Sequence, residues 1–506
     1  MKKIIFAILA TIIAFSVQAQ TLRTSYFMTK YHNSHQRNPA MSPAWGYLNF
    51  PGLGHAHIGL QTNIRLSDFL FPIGDRSGQL GTFLHPEVGV NQFLRGIGRR
   101  GEALSLDLNY NILGFGFFTR GHEFWSFDLN VRAQGGANIP RDFFAVLKEA
   151  ELGLGHTYNL RNLNASVRAY TEFAFGHARD INDNIRVGGK LKFLVGLGDA
   201  RFQVDNMSIH TTPDIWTVNT RATGTVLGNF FAFEYDEYGV LSGLNTSTDN
   251  IDPNELFGNW GLGLDMGVVW QMGDFLGSIF PMLPLSARRF TLSAGLTDLG
   301  FIRYRNSSQV RSQGEVVFEG GDISFQDSEF RIDLGNISDR FSEMIEFRET
   351  GATSGMARGL RTTANIGLEY TFLDNMMSAG LLWSSHFGLP RTFNELTLSY
   401  NLRPATWFAI SLSSSVANGF FRSAGWAMNF TPRWGLNFFF GMDYIPFAWT
   451  PPLDGLDFLP FGVPINSSNF NFNFGMSIPL GSSHDSFQSR RERRNLARQQ
   501  QLEALI

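Results

Sequence analysis

The residues with the most evident capacity for chemistry are charged side chains that alternate with apolar ones. In residues 185–195, Arg186, Lys190 and Lys192 would all lie on one face of a β-strand, because successive side chains point to opposite faces. The same reading along the chain places six cations and six anions on such faces: Arg132, Arg168, Arg186, Lys190, Lys192 and Arg403, and Asp107, Asp128, Glu172, Asp265, Glu369 and Glu395. Balanced charge predicts ion pairs that fill an enclosed space, because an ion-selective pore carries rings of one sign.

Histidines provide a second candidate chemistry. His55 and His57 are two residues apart and would share a strand face, as two metal ligands can. His32 and His35 could complete such a site only if the N-terminal segment folded back, and no nearby carboxylate is fixed by spacing. We therefore predict no metal site and no cofactor.

A serine–histidine pair is the third candidate. Ser384 or Ser385 lies close to His386 at a predicted strand end, and a barrel enzyme needs only two or three residues on adjacent strands. Such proximity is common by chance, and no catalytic, zinc-protease, P-loop or dinucleotide motif occurs in a suitable context. The chain is predicted not to be an enzyme.

Composition indicates what kind of element carries these residues. Charged residues make up 17% of the 506, aromatic residues 14%, and the mean hydropathy is −0.08. The aromatic content excludes a disordered chain, and a net charge of −3 gives no support for nucleic-acid binding. After the N-terminus no apolar run reaches the roughly 20 residues of a transmembrane helix. Strands with one apolar and one polar face fit these values.

The alternation recurs over segments of membrane-spanning length. In N-F-N-F-N-F-G-M-S-I at 469–478, every second residue from Phe470 is apolar. The same pattern predicts an all-β, transmembrane antiparallel β-barrel of about 14 strands. The predicted strands are 57–66, 103–119, 124–132, 163–175, 184–196, 259–271, 289–297, 362–371, 375–384, 394–403, 405–414, 424–431, 434–443 and 469–478. The connection 272–288 is long for a turn, which leaves the count open by two strands.

Loop lengths predict the orientation of the barrel. Toward the C-terminus, short connections alternate strictly with long ones, as periplasmic turns alternate with extracellular loops in outer-membrane barrels. The longest predicted loops are 67–102, 133–162, 197–258 and 298–361, and both termini fall in the periplasm. Two loops carry helical patterns, one after Pro140 and one from Ile337 to Ile345, and both are expected to pack against the barrel mouth.

The remaining segments complete the predicted domain organisation. Residues 1–19 resemble a cleaved signal peptide, and the absence of cysteine excludes a lipid anchor at the cleavage site. Residues 20–56 form an N-terminal periplasmic segment that we call the hatch, because a lumen of this size needs a filling. The barrel spans 57–481, and an Arg-rich periplasmic tail spans 482–506. Strand-end tryptophans form an expected aromatic girdle: Trp270, Trp383, Trp407 and Trp434.

Several stretches resemble a known family. T-S-Y-F-M-T-K-Y-H-N-S-H-Q-R-N-P-A-M-S-P, G-G-K-L-K-F-L-V-G-L at 188–197, G-L-G-L-D-M-G-V-V-W at 261–270 and L-T-D-L-G-F-I at 296–302 are similar to uncharacterised Bacteroidota outer-membrane barrels, a domain of unknown function. A wider resemblance is to FadL-like long-chain fatty acid transporters, whose hatch carries Asn-Pro-Ala, here Asn38, Pro39 and Ala40.

The resemblance implies an outer-membrane location, contact with membrane lipid and passage or binding of a hydrophobic or amphipathic small molecule. The ligand-contacting residues of the transporters do not map onto this sequence, so the substrate does not transfer. The alternative is a structural or assembly protein that anchors periplasmic or surface partners through its loops, such as the one containing Phe420 and Phe421, or through its tail.

Overall fold

A computed structural model describes most of the chain between residues 22 and 481. The described residues are 22–28, 31–73, 80–83, 85–119, 123–149, 155–212, 214–235, 241–246, 258–282, 289–319, 347–352, 355–373, 376–388, 390–405, 407–417, 421–432, 435–445, 449 and 468–481. The predicted signal peptide, the tail, Trp434, Phe420 and the helical pattern from Ile337 to Ile345 lie outside them.

The strands are numbered in chain order. They are β1 (Gly46–Asn49), β2 (His55–Thr62), β3 (Leu70–Pro72), β4 (Leu80–Thr82), β5 (Glu102–Phe118), β6 (Phe124–Ile139), β7 (Thr157–Asn159), β8 (Asn164–Asp180), β9 (Ile185–Thr211), β10 (Ile215–Gly228), β11 (Phe231–Tyr235), β12 (Leu241–Thr246), β13 (Trp260–Gln271), β14 (Phe290–Tyr304), β15 (Ser307–Glu319), β16 (Arg348–Ala352), β17 (Met356–Gly359), β18 (Thr363–Phe372), β19 (Met377–His386), β20 (Phe393–Ala405), β21 (Phe408–Ala417), β22 (Phe421–Phe430), β23 (Asn437–Asp443) and β24 (Phe470–Leu480). The helices are α1 (Val90–Gly96), α2 (Arg141–Glu149) and α3 (Gly273–Ile279), with 3₁₀ turns at Arg23–Ser25, Ser34–Gln36 and Leu66–Phe69.

The wall of the molecule is a closed, 14-stranded antiparallel barrel, which confirms the predicted fold class and strand count. Its strands, in order around the ring, are β2, β5, β6, β8, β9, β13, β14 and β18 to β24. The ring closes because β2 pairs with the last strand, β24, and with β5 on its other side. The long connection at 272–288 contains α3 and removes no strand from the count.

The strand β1 lies in this wall too, which corrects the predicted hatch boundary at residue 56. Gly46–Asn49 pairs with both β24 and β5, the same two strands that pair with β2. The seam at which the first strand meets the last therefore includes β1. The first wall strand also ends at Thr62 instead of residue 66. The alternation pattern does not reveal β1, because this strand is only four residues long and the Pro-Gly turn that follows it interrupts the alternation.

The barrel has an apolar outside and a polar inside. On β20, Leu396, Leu398 and Tyr400 are 46%, 58% and 42% exposed, whereas the alternating Glu395, Thr397, Ser399 and Asn401 are buried. A strand of a water-soluble sheet would show the reverse. The outer surface therefore has the composition of a lipid-facing one.

The two ends of the barrel differ. One end, the short-turn end, has links such as 181–184 between β8 and β9. At the other, the long-loop end, residues predicted as loops form further structure, so the loop assignments for 197–258 and 298–361 were wrong. There β9 continues to Thr211 and pairs with β10, and β10 pairs with β15. Residues 216–226 alternate in the sequence as well, because one face of β10 is buried and the other is more exposed.

These extra strands enclose a separate apolar core. We call this core and the strands and helices that surround it the cap. Its buried residues include Phe83, Phe93, Phe144, Leu160, Val204, Met207, Ile209, Trp216 and Val218. Phe93 of α1 and Phe144 of α2 pack into this core, so the helix predicted after Pro140 is confirmed and lies in the cap. Among the described residues, no helix combines the length and apolar content needed to cross a membrane.

Candidate functional site

The hatch lies inside the barrel. Its described residues before β1 (22–28 and 31–45) are mostly buried and contact the inner faces of the wall strands. The segment folds back on itself, because the Arg37 guanidinium donates hydrogen bonds to the carbonyl of Leu22 and to Ser25 Oγ. Two 3₁₀ turns give it a compact, non-helical path.

Polar anchors fix the hatch to strands on several sides of the barrel. The amide of Arg23 donates to Asp443 Oδ2 at 2.9 Å, and its guanidinium lies 3.1 Å from Glu395 Oε2. On another side, His35 Nε2 lies 3.1 Å from Asp128 Oδ2. Arg403 Nη2 donates to the carbonyl of Phe27 at 2.8 Å. The hatch is therefore bonded around the ring, with contacts spread over β6, β20 and β23.

The tripeptide Asn38-Pro39-Ala40 is buried against strands β9, β13 and β14. Asn38 Nδ2 donates to the carbonyl of Ala294 at 3.2 Å, and Asn38 Oδ1 accepts from the amide of Ala40 at 3.0 Å. Arg186 Nε donates to the carbonyl of Ala40 at 3.1 Å. Asn38 thus stabilises its own turn through Oδ1 and binds the wall through Nδ2.

Glycines in the wall make room for this contact. A Cβ atom at Gly188 would collide with the backbone of Pro39, and one at Gly267 with the side chain of Asn38. Gly380 similarly faces Phe27, and Gly441 faces Leu22. The backbone of Pro39 and the ring of Phe27 cannot move aside as a flexible side chain can. The inner surface of the wall is therefore shaped to this segment.

One apolar contact supplements the polar anchors. The ring of Tyr31 stacks on that of Phe439 with centroids 3.8 Å apart, and Leu22 and Met28 join the same cluster. Phe439 points inward, against the general rule of an apolar outer face. This inward aromatic is explained by the hatch that covers it.

One side of the lumen, formed by the neighbouring strands β6, β8, β9, β13 and β14, holds a buried ion network. Lys192 Nζ lies 2.8 Å from Asp265 Oδ2, 2.6 Å from Asp298 Oδ1 and 3.5 Å from Glu172 Oε2. Arg132 Nη1 bridges two of the same carboxylates, at 2.7 Å from Asp298 and 3.1 Å from Glu172. Lys192 and Arg132 thus each lie against two or more carboxylates. The network lines this side of the lumen with charges of both signs and provides no ring of single sign.

The other predicted lumen residues also lie on the inner face. Lys190 Nζ lies 2.9 Å from Asp128, the carboxylate that contacts His35. The remaining contacts are Arg168 with Asp199, Arg186 with Asp180, Arg403 with Glu369, Glu395 with Arg23, and Gln134 with Asp107. All twelve residues selected by alternation thus have a polar partner inside the barrel.

Some members of the network were missed by the sequence analysis. Asp298 has φ of 60° beside a register shift between β13 and β14, so it does not follow the alternation. Arg23 and His35 lie in the hatch, where no period exists to assign a face. The Leu-Thr-Asp-Leu-Gly stretch was visible in the sequence, but only the structure shows where its aspartate points.

Two small cavities separate the hatch from the wall. The first, of about 40 Å³, is lined mainly by charged and amide groups, including Asp107, Arg132 and Lys192. The second, of about 90 Å³, has apolar residues from both partners: Tyr26, Phe27, Met28 and Met41 of the hatch and Val269 of β13. Its remaining lining includes Arg186 and Glu369. The second cavity can contact both an apolar chain and a polar group.

The hatch histidines are held in the neutral form. Burial lowers the pKa of His32 to about 4, although hydrogen bonds to Gly54 and Asn437 partly oppose this shift. Burial and the nearby Lys190 ammonium also lower the pKa of His35, against the opposing effect of Asp128. Protonation of these histidines therefore disfavours the buried position of the hatch inside the barrel, which we call the seated position.

The other candidate chemistries are not assembled. His55 and His57 share a face, with parallel rings 6.0 Å apart, and the described residues contain no group of three or more possible metal ligands. His386 contacts Thr363 Oγ1 at 2.8 Å and Arg23 Nη2 at 3.3 Å through its two ring nitrogens, so it is not paired with Ser384 or Ser385.

Three of the four predicted girdle tryptophans are described. Trp270 ends β13 at the short-turn end and packs against Phe275, with ring centroids 5.2 Å apart. Trp407 lies in a turn at the same end and packs against Phe430. Trp383 lies near the other end of β19, opposite the outward-facing Leu396.

Comparison with known proteins gives structural neighbours and a family. The Pseudomonas putida toluene transporter TodX is 8% identical with a TM-score of 0.38, and the match covers 91% of this chain and 94% of that chain. For a Pseudomonas aeruginosa FadL homologue the identity is 11%, the TM-score 0.34 and the coverage 91% and 96%. The CymD monoaromatic hydrocarbon channel is 10% identical with a TM-score of 0.37, and the match covers 90% of this chain and 94% of that chain.

No curated protein sequence matches this chain significantly. A family profile does match, over residues 39–443. The chain belongs to that family, which is described as a family of unknown function, DUF5723.

Proposed function

We propose that this member of DUF5723 is an outer-membrane barrel that binds or passes a hydrophobic or amphipathic small molecule, with the hatch controlling access. One observation carries the proposal: the lumen is filled by a terminal segment that is not part of the wall. Hydrogen bonds, ion pairs and van der Waals contacts hold it there, so it can leave without breaking the barrel.

The surface of the wall supports placement in a membrane. A closed barrel satisfies its own backbone hydrogen bonds, which is the requirement for spanning hydrocarbon with strands. The outer face is apolar and aromatic pairs lie at the short-turn end, including Phe290 with Tyr370 and Trp407 with Phe430. Short turns face the periplasm in outer-membrane barrels, so we assign the cap to the cell exterior.

The ligand class follows from the second cavity. About 90 Å³ is less than the roughly 150 Å³ of a protein cavity that holds benzene, so the closed form accommodates only part of an alkyl chain or ring. Passage of a whole molecule requires the hatch to move. Arg186 and Glu369 at the edge of this cavity favour an amphipathic ligand with a polar end.

A matched pair of variants tests ligand binding. Val269 lines the second cavity, whereas the adjacent Val268 points to the outer face. Organic extraction and mass spectrometry of the purified protein should find an apolar ligand in the wild type and in Val268→Trp, and much less in Val269→Trp. Equal ligand content in the two variants would exclude this cavity as the binding site.

Bilayer conductance tests the role of the hatch. Deletion of residues 22–44 removes the lumen filling but leaves β1 and the seam, whereas a longer deletion would remove wall residues Gly46–Asn49. The full chain should be nearly closed in planar bilayers and the deleted form should conduct ions. Equal conductance of the two would contradict gating by the hatch.

The cap favours a second candidate function, that of an assembly protein. It has its own apolar core and stands beyond the lipid-facing wall, where a surface partner could reach it. In that case a cap-disrupting variant such as Phe93→Ala should lose a stoichiometric partner, while ligand content and conductance stay unchanged.

A further inference from the structure

Helix α3 carries an apolar stripe that the described residues cover only in part. Its i, i+3, i+4, i+7, i+8 spacing is that of one helix face. The stripe consists of Met272, Phe275, Leu276, Ile279 and Phe280. Phe275, Ile279 and Phe280 are 43%, 51% and 55% exposed, and Met282, which follows, is 99% exposed. A short surface helix normally turns such a stripe toward the core.

One hydrogen bond links the polar side of the helix to the barrel. Asp274 accepts a hydrogen bond from Asn184 Nδ2 at 2.9 Å, in the turn between β8 and β9. Ser278, one turn further, lies on the same side as Asp274. The exposed side chains of Phe275, Ile279 and Phe280 lie on the side of the helix opposite to this attachment.

The stripe is continuous with the lipid-facing wall. Phe275 packs against Trp270, the outward residue at the end of β13, with ring centroids 5.2 Å apart. At the other end of the connection, the amide of Met272 donates to the carbonyl of Phe290, whose ring contacts Tyr370. The helix therefore begins among the aromatic residues that end the apolar wall.

We infer that α3 and residues 280–282 form an interfacial anchor that lies in the periplasmic leaflet of the outer membrane. Membrane lipid fits the stripe because the stripe extends a lipid-facing surface, and an amphipathic helix at a membrane surface buries its apolar face at the boundary of headgroups and acyl chains. The anchor is one-sided: it lies beneath β13 and β14, the strands that bind Asn38 inside the lumen.

The absence of native cysteine allows a direct test. Single variants Ile279→Cys, Phe280→Cys and Met282→Cys are labelled with a nitroxide, and the full-length protein is reconstituted in vesicles of phosphatidylethanolamine and phosphatidylglycerol. Power-saturation electron paramagnetic resonance then compares collision with oxygen and with a water-soluble nickel chelate. We expect oxygen to dominate several-fold at these three positions, and the nickel chelate at the matched control Ser278→Cys.

Leu398→Cys, on the outer face of β20, separates this inference from the membrane assignment on which it rests. Lipid exposure at Leu398 with water exposure at positions 279, 280 and 282 would overturn the anchor alone. Water exposure at Leu398 as well would overturn the membrane assignment. Positions that are open to water in vesicles but protected in native membranes would indicate a periplasmic protein on the helix, and would also overturn the anchor.

Discussion

The barrel and the cap follow opposite rules of burial, and strand β9 passes through both. In its barrel half Lys190 and Lys192 are buried while Leu191 is 67% exposed. In its cap half Val204, Met207 and Ile209 are buried while Gln203, Asp205 and His210 are exposed. The period is two in each half, with one β-bulge between Val204 and Asn206 in the cap half, so periodicity specifies a strand and leaves open which face meets solvent. The buried face is the polar one in the barrel and the apolar one in the cap.

The largest effect is expected from a charge in the barrel interior. Lys192→Met leaves Asp265, Asp298 and Glu172 with less compensation in a buried site, which should cost about 3–5 kcal/mol of unfolding free energy. Urea unfolding in detergent measures it, with Lys192→Arg as the control that keeps the charge. A loss below about 1 kcal/mol would show that water reaches this network.

A large but local effect is expected from the apolar core of the cap. Phe93→Ala removes a fully buried ring and should destabilise the cap by about 3 kcal/mol. Limited proteolysis should then cut between residues 80 and 149, while the barrel keeps its resistance to heat in detergent. Loss of both together would show that the cap and the barrel fold as one unit.

Outward positions on β9 give a sharper comparison. Leu191→Lys places a charge on the apolar wall and should cost about 2 kcal/mol in a bilayer, whereas Gln203→Lys in the cap should change stability by less than about 0.5 kcal/mol. Unfolding in lipid vesicles compares the two variants. Equal costs would mean that both halves of the strand meet the same solvent.

The smallest effect concerns pH and the hatch. Because burial lowers the pKa of His32 to about 4, the seated hatch binds fewer protons than the released hatch. Seating is at full strength above the ordinary histidine pKa and weakens as the pH falls below it, by about 1 kcal/mol at pH 5.5. Bilayer conductance of the full chain should rise between pH 7 and pH 5, and His32→Gln should reduce this rise. A flat profile would contradict the effect.

The sequence predicted the wall well and the rest unevenly. Apolar and polar residues alternate along the wall strands, so alternation alone predicted these strands and assigned the twelve charges to their inner faces. The hatch path could not, because Arg23, His35 and Asn38 are placed by individual contacts with distant strands. Nor could Asp298, since a left-handed residue interrupts the pattern that would have assigned its face.

The seam between the first and last strands has a consequence for biogenesis. Gly46–Asn49 and His55–Thr62 pair with β24, so the wall cannot close until the final strand has been made. The segment that fills the lumen precedes the first wall strand and is synthesised before any of it. The machinery that joins the two ends of the sheet must therefore close the wall around a hatch that is already attached to the first wall strand. A hatch left outside at that moment would have to thread through a completed ring.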